Sequence, residues 1–137
     1  MSTVLSGGCA CGAVRYACTA QPMFALNCHC RDCQRETGSA YAPILAVPSA
    51  GFAVTQGEPT YFDVTADSGY VTRRAFCGRC GSPLFGEPGS RTDMVTIRAG
   101  SLDDPGIFRP TQNIFVASAQ PWDHMDPAVP KVAKLTR

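Results

Sequence analysis

Apolar and β-branched residues come in short runs along this chain, punctuated by Gly and Pro. "GAVRYAC" (12–18), "AYAPILAV" (40–47), "FAVTQG" (52–57), "TYFDV" (60–64) and "YVTRRAF" (70–76) are the first five. "DMVTIRAG" (93–100) and "NIFVAS" (113–118) continue the series. Val, Ile, Phe, Tyr and Thr fill these runs, as they fill strands, because their side chains pack well on a pleated surface. One stretch reads as helix: "RDCQRETG" (31–38), with Gly38 at the position of a C-cap. No repeat, low-complexity tract or linker interrupts the series. The pattern predicts a mainly β protein, residues 1–137 forming a single domain whose loops are pinned by metal.

Composition narrows the class of function. A chain of 137 residues with 45% hydrophobic content can bury a modest core. The 13 Gly and 11 Pro are scattered, which fits many short elements joined by turns. Twelve basic and eleven acidic side chains leave a formal net charge of +1. A nucleic-acid surface shows itself as a basic excess or stripe, so none is expected. No segment reaches the roughly 20 apolar residues that cross a bilayer. The start, "MSTVLSGGCACGAV", has neither the basic region nor the apolar run of a signal peptide. The expectation is a cytoplasmic protein without membrane partners, whose eight cysteines are thiols or metal ligands and not disulfides.

All of those cysteines except Cys18 fall in three clusters: Cys9-x-Cys11, Cys28-x-Cys30-x-x-Cys33 and Cys77-x-x-Cys80. In "CACG" and "CGRCG" a glycine directly follows the last cysteine. Glycine permits the left-handed turn of a metal knuckle, where backbone N–H groups point at thiolate sulfur. Cys33 is followed instead by a helical continuation. The two glycine knuckles therefore match each other, and the spacing predicts one four-cysteine zinc site from Cys9, Cys11, Cys77 and Cys80. Closing so long a loop is where a metal clip gains most.

Cys28, Cys30 and Cys33 remain, with three ligands between them. Catalytic zinc commonly keeps three protein ligands and leaves one position for water or substrate. The alternative is a closed second site completed by Cys18, His29 or His124. His29 suits this poorly, since Cys28 and Cys30 on either side must face the metal from the same turn. Cys18 ends a β-like run, where a buried lone thiol is the commoner role. Three thiolates on Zn²⁺ carry net negative charge, and Arg31 and Arg35 beside the cluster are placed either to offset it or to bind an anionic group of a substrate.

The segments "GGCACGAVRY" (7–16), "CHCRDCQRETGSAYAPILAVP" (28–48), "RAFCGRCGSPLF" (74–85) and "VTIRAGSLDDP" (95–105) resemble, in order, the motifs of the glutathione-dependent formaldehyde-activating enzyme family, which includes the centromere protein V group. The resemblance implies a β-tent fold, two zinc sites and carbon–sulfur lyase chemistry on thiol adducts of small aldehydes, of the S-hydroxymethylglutathione type. It implies a structural zinc on Cys9, Cys11, Cys77 and Cys80, and a catalytic zinc on Cys28, Cys30 and Cys33. The three-cysteine zinc should leave more readily on purification. A small-molecule thiol such as glutathione is the implied partner. Asn113 stands where many members carry His, and Trp122 and Asp123 fit the family's C-terminal segment, with Trp122 expected to pack. The rival expectations are a non-enzymatic zinc-stabilised protein-binding module, a dithiol redox enzyme using Cys30 and Cys33, and a zinc-ribbon nucleic-acid binder.

Overall fold

The computed structural model describes residues 2–66 and 68–134. Among the described residues eleven strands and one α-helix follow one another. They are β1 (Leu5–Gly8), β2 (Arg15–Cys18), β3 (Phe24–Cys28), α1 (Arg31–Thr37), β4 (Ala42–Pro48) and β5 (Phe52–Gln56). Then come β6 (Thr60–Thr65), β7 (Val71–Phe76), β8 (Pro83–Pro88), β9 (Met94–Arg98), β10 (Asn113–Ile114) and β11 (Lys131–Val132). The mainly β expectation holds, and α1 ends at Gly38 in the left-handed conformation, its N–H bonded to the Gln34 carbonyl. Among the described residues no helix is long and apolar enough to cross a membrane.

Two sheets form. A small one has the order β1-β2-β5, and a large one the order β11-β10-β3-β4-β9-β8-β7-β6. Pairing is antiparallel except at β10, which runs parallel to β3 and β11. Leu5, Tyr16 and Cys18 of the small sheet pack with Leu45, Val47, Phe85, Val95 and Ile97 of the large one to make the main core. Phe52 joins the two layers, its ring 5.5 Å from Tyr16 and 4.7 Å from Phe85. A second cluster gathers Leu26, Cys28, Cys33, Ala42, Ile44 and Ile114 beneath α1.

The structure departs from the sequence pattern in informative places. Strands β1, β3, β8 and β11 lie outside the predicted runs. Proline opens and closes β8, and Pro reads as a strand breaker; here both prolines sit at the strand's ends, paired with Phe76 and Thr72. The predicted strand 113–118 stops after Ile114. Phe115 takes the left-handed conformation, φ 58° and ψ 36°, and residues Val116–Ser118 turn into a 3₁₀ segment. A bulky residue pays roughly 1–2 kcal/mol in that region, so packing around Phe115 must hold it there.

Candidate metal centres

The N-terminal knuckle leaves β1, turns at Cys9–Gly12 and returns into β2. Its Gly12 N–H bonds the Cys9 carbonyl at 3.1 Å, and Val14 N–H points at Cys9 Sγ at 3.3 Å. The second knuckle joins β7 to β8, with Gly81 N–H on the Cys77 carbonyl at 2.7 Å. Gly12 and Gly81 have φ of 79° and 81°, and a Cβ on either would meet nothing within 4 Å. Backbone conformation alone therefore requires glycine at both positions, as the motif reading anticipated. Gly81→Ala is expected to lower stability by about 1 kcal/mol, read as a fall of several degrees in Tm.

The two knuckles meet. The Sγ atoms of Cys9, Cys11, Cys77 and Cys80 all lie within 4.8 Å of one another. Cys11 Sγ is 3.6 Å from Cys9 Sγ and 3.7 Å from Cys77 Sγ. Ser82 ties the knuckles together, its Oγ accepting from Ala10 N at 3.0 Å and lying 3.3 Å from Cys80 Sγ. Cys9 and Cys77 are buried, whereas Cys11 and Cys80 are exposed. Hydrogen bonds from Ser82 hold Cys80 down at about 5. The Ala13 backbone favours the Cys11 thiolate, but burial and the neighbouring sulfurs together raise that thiol to about 11. Four thiols so close cannot all ionise without a cation among them. An all-sulfur donor set of this kind suits tetrahedral Zn²⁺.

The second cluster is assembled where β3 runs into α1. Cys28 ends β3, Cys30 caps α1, and Cys33 lies in the first turn of that helix. Their Sγ atoms again lie within 4.8 Å of one another. Cys30 Sγ accepts from Cys33 N at 3.3 Å, so the thiol doubles as the N-cap. Contact with Cys28, then with Cys30, and then burial push the Cys33 thiol up. This crowding of buried sulfur also fits a thiophilic divalent cation, which relieves the repulsion between thiolates.

His29 turns away from the sulfurs. Its fully buried ring places Nε2 2.9 Å from Asn113 Oδ1, which also accepts from Asn27 Nδ2 at 3.2 Å. Nδ1 lies 3.2 Å from Asp123 Oδ2, within ion-pair distance but out of line for a hydrogen bond. Gln34 fastens the same region, its Nε2 donating to the carbonyls of His29 at 2.7 Å and Ser118 at 3.0 Å. The segment 113–123 thus covers the three-cysteine loop. The side-chain carbonyl of Asn113 is the His29 ring's buried polar neighbour on this side.

Two sequence expectations change, and the reading of Cys18 as a buried thiol does not. The cation beside the thiols is Arg74, whose Nη2 lies 4.0 Å from Cys33 Sγ. Arg31 instead hydrogen-bonds Gln34, and Arg35 lines a neighbouring cleft. Trp122 does not pack; it is 62% exposed. Its neighbour Asp123 is the inward-facing member of the pair. Cys18 and His124 lie in neither cluster. Cys18 is buried in the main core, with its thiol directed at the Ala20 carbonyl at 3.5 Å. Cys18→Ala is expected to keep the parent's metal stoichiometry and to cost about 1 kcal/mol from the small cavity, checked by metal analysis and denaturant unfolding.

The cleft lies between α1 and the β6–β7 hairpin and has a volume of about 420 Å³. Asp32, Arg35 and Glu36 form one wall; Phe62, Val64 and Phe76 give the other an apolar surface. Arg74 belongs to this lining too, and so connects the cleft to Cys33.

Comparison with known proteins is consistent with this geometry. A family model described as "Glutathione-dependent formaldehyde-activating enzyme" matches residues 4–118, a span that includes every cysteine of both clusters. The fold is similar to the crystal structure of a Rhodobacter sphaeroides protein solved as a structural genomics target, with a TM-score of 0.61. The two are 21% identical, and the match covers 92% of this chain and 98% of that one.

Proposed function

Because the chain belongs to the glutathione-dependent formaldehyde-activating enzyme family, we propose that it is a zinc-dependent carbon–sulfur lyase acting on S-hydroxymethyl-type adducts of a small thiol, and on their formation. The observation that carries this reading is the contrast between the two clusters. One offers four sulfurs; the other offers three, with no fourth His, Cys, Asp or Glu ligand joining it among the described residues. Four-coordinate zinc would be saturated at the first and one ligand short at the second.

Zinc held by Cys28, Cys30 and Cys33 would supply a Lewis acid that favours the ionised form of a thiol entering its free position. The chain's own residues do the rest. Burial of Cys28 and Cys33 keeps water away from the inner side of the site. The cleft takes the body of the thiol, with Phe62 and Val64 against its apolar part. In the condensing direction the thiol sulfur attacks the aldehyde carbon, a C–S bond forms, and the carbonyl π pair moves to oxygen. That oxygen takes up the proton that the thiol gave away, and the Asp32 carboxylate in the cleft wall is the proposed carrier. Cleavage runs the same steps backwards.

Arg35 has no hydrogen-bond or ion-pair partner among the described residues and faces the cleft. It is the proposed contact for a carboxylate on the thiol. Arg35→Ala is expected to raise KM about five-fold for carboxylated thiols, from roughly 1 kcal/mol for one exposed charged contact. Neutral thiols such as 2-mercaptoethanol should be unaffected. Equal losses for both kinds would remove Arg35 from recognition. The function itself is tested by following adduct formation from formaldehyde and a panel of thiols by NMR with zinc-loaded protein. A rate above the spontaneous one for at least one thiol is expected. Spontaneous rates throughout would leave the non-enzymatic binding module as the better account.

A further inference from the structure

Arg74 sits in the middle of β7, opposite Phe62 of β6 and Gly86 of β8. Its side chain leaves the sheet towards α1. Nη1 donates to the Asp32 carbonyl at 3.0 Å, and Nη2 approaches Cys33 Sγ at 4.0 Å. Nε is buried without a hydrogen bond and lies 4.0 Å from Glu36 Oε2. Glu36 is itself held by Arg98, whose Nε donates to Oε1 at 2.8 Å. Arg98 is fixed in turn by the Thr96 carbonyl at 2.9 Å and hydroxyl at 3.2 Å. The side chains of Arg74, Glu36 and Arg98 are 13%, 10% and 6% exposed, so the whole network is largely withdrawn from water.

Buried charge is costly unless it is matched. Two guanidinium groups and one carboxylate leave this network with one positive charge in excess. Three thiolates around a divalent cation leave one negative charge in excess, and the two sets touch at Arg74 and Cys33. The four-cysteine site needs no such partner, because Cys11 and Cys80 are open to solvent.

We propose that Arg74 is a positioning residue of the three-cysteine metal site: it supplies the buried counter-charge to the thiolates and ties the first turn of α1 to β7 through Asp32 and Cys33. The proposal rests on metal occupying that cluster, as in the functional reading above, but not on the lyase chemistry. Glu36 faces the guanidinium and Arg98 holds Glu36; Glu36 does not join the group of sulfurs, so the pair supports Arg74 and not the metal directly.

The test is zinc affinity at each site, measured by competition with a chromophoric chelator, for the parent, Arg74→Gln and Arg74→Lys. The thiolate-to-metal absorption of the cobalt(II)-loaded proteins is recorded alongside. Arg74→Gln should weaken the second site 10- to 100-fold, the range found when groups supporting metal ligands are removed, and leave the first site unchanged. Arg74→Lys keeps the charge but cannot reach both Asp32 and Cys33, so its loss should be smaller, with a shifted cobalt absorption. Lowered Tm with parental affinity in both variants would overturn the proposal, because that is a packing role alone. Should Arg74→Gln not fold, Arg74→Lys decides by the same two readouts: weakened second-site affinity with shifted absorption supports it, and parental values overturn it. A parent that binds a single zinc would overturn this proposal and the lyase reading together. A two-zinc parent with unaltered variants would overturn this one only.

Discussion

Cys80→Ser is expected to leave the chain largely unfolded or aggregated, with both zinc content and Tm collapsing. Cys80 is exposed, so its replacement disturbs no packing and the effect isolates the metal clip. That clip joins the turn after β1 to the turn between β7 and β8, and so fastens the small sheet to the large one. Structural zinc contributes on the order of 10 kcal/mol in small zinc peptides, comparable to the roughly 5–15 kcal/mol that holds a whole domain together. Circular dichroism, thermal melting and metal analysis of the soluble fraction would check it. A soluble Cys80→Ser protein with parental Tm and zinc content would show that the cluster does not carry the fold.

Cys30→Ser is expected to behave in the opposite way: folded, but lacking the second metal and all thiol-adduct activity. Cys30 Sγ accepts the Cys33 N–H as the N-cap of α1, and serine is a favoured N-cap, so the helix should survive. Serine oxygen is a poor substitute for thiolate on zinc, so metal should be lost there while the four-cysteine site stays filled. Activity should fall by at least 100-fold, since one missing ligand removes the bound ion on which the reaction depends. Metal analysis, circular dichroism and turnover on one preparation separate the two effects. Retained turnover with one zinc per chain would take Cys28, Cys30 and Cys33 out of the chemistry.

The two substitutions differ because the clusters were built by different local rules, and those rules were legible in the chain. A glycine after Cys11 and another after Cys80 mark turns with positive φ, and these two turns meet in space. The residue after Cys33 is Gln34, which continues a helix and is buried beneath the segment 113–123. The strand pattern was legible wherever β-branched residues clustered. It failed at β3, where "FALNC" runs straight into the cysteine cluster, and at β8, where proline at each end hides a paired strand. It also failed at Phe115, whose left-handed backbone no propensity predicts.

Charge was the least legible feature. Arg31 and Arg35 are neighbours of Cys33 in sequence, yet the helix turns Arg31 towards Gln34 and Arg35 into the cleft. Arg74 is 41 residues away and reaches the sulfur only because β6, β7 and β8 pair in one register. Likewise, Asp123 meets His29 only after residues 113–123 fold back over the loop. Such contacts depend on tertiary placement and have no local signature.

On the proposed function, the three-cysteine cluster, once it holds metal, carries the chemistry while the four-cysteine cluster carries the fold. The most direct test is to prepare protein with one zinc per chain, titrate in further zinc, and follow the rate of S-hydroxymethyl adduct formation from formaldehyde and a responsive thiol. A folded protein with little activity is expected at one equivalent, with a rate that rises in proportion to the second equivalent and then levels off. Full activity at one equivalent, unchanged by the second, would contradict it.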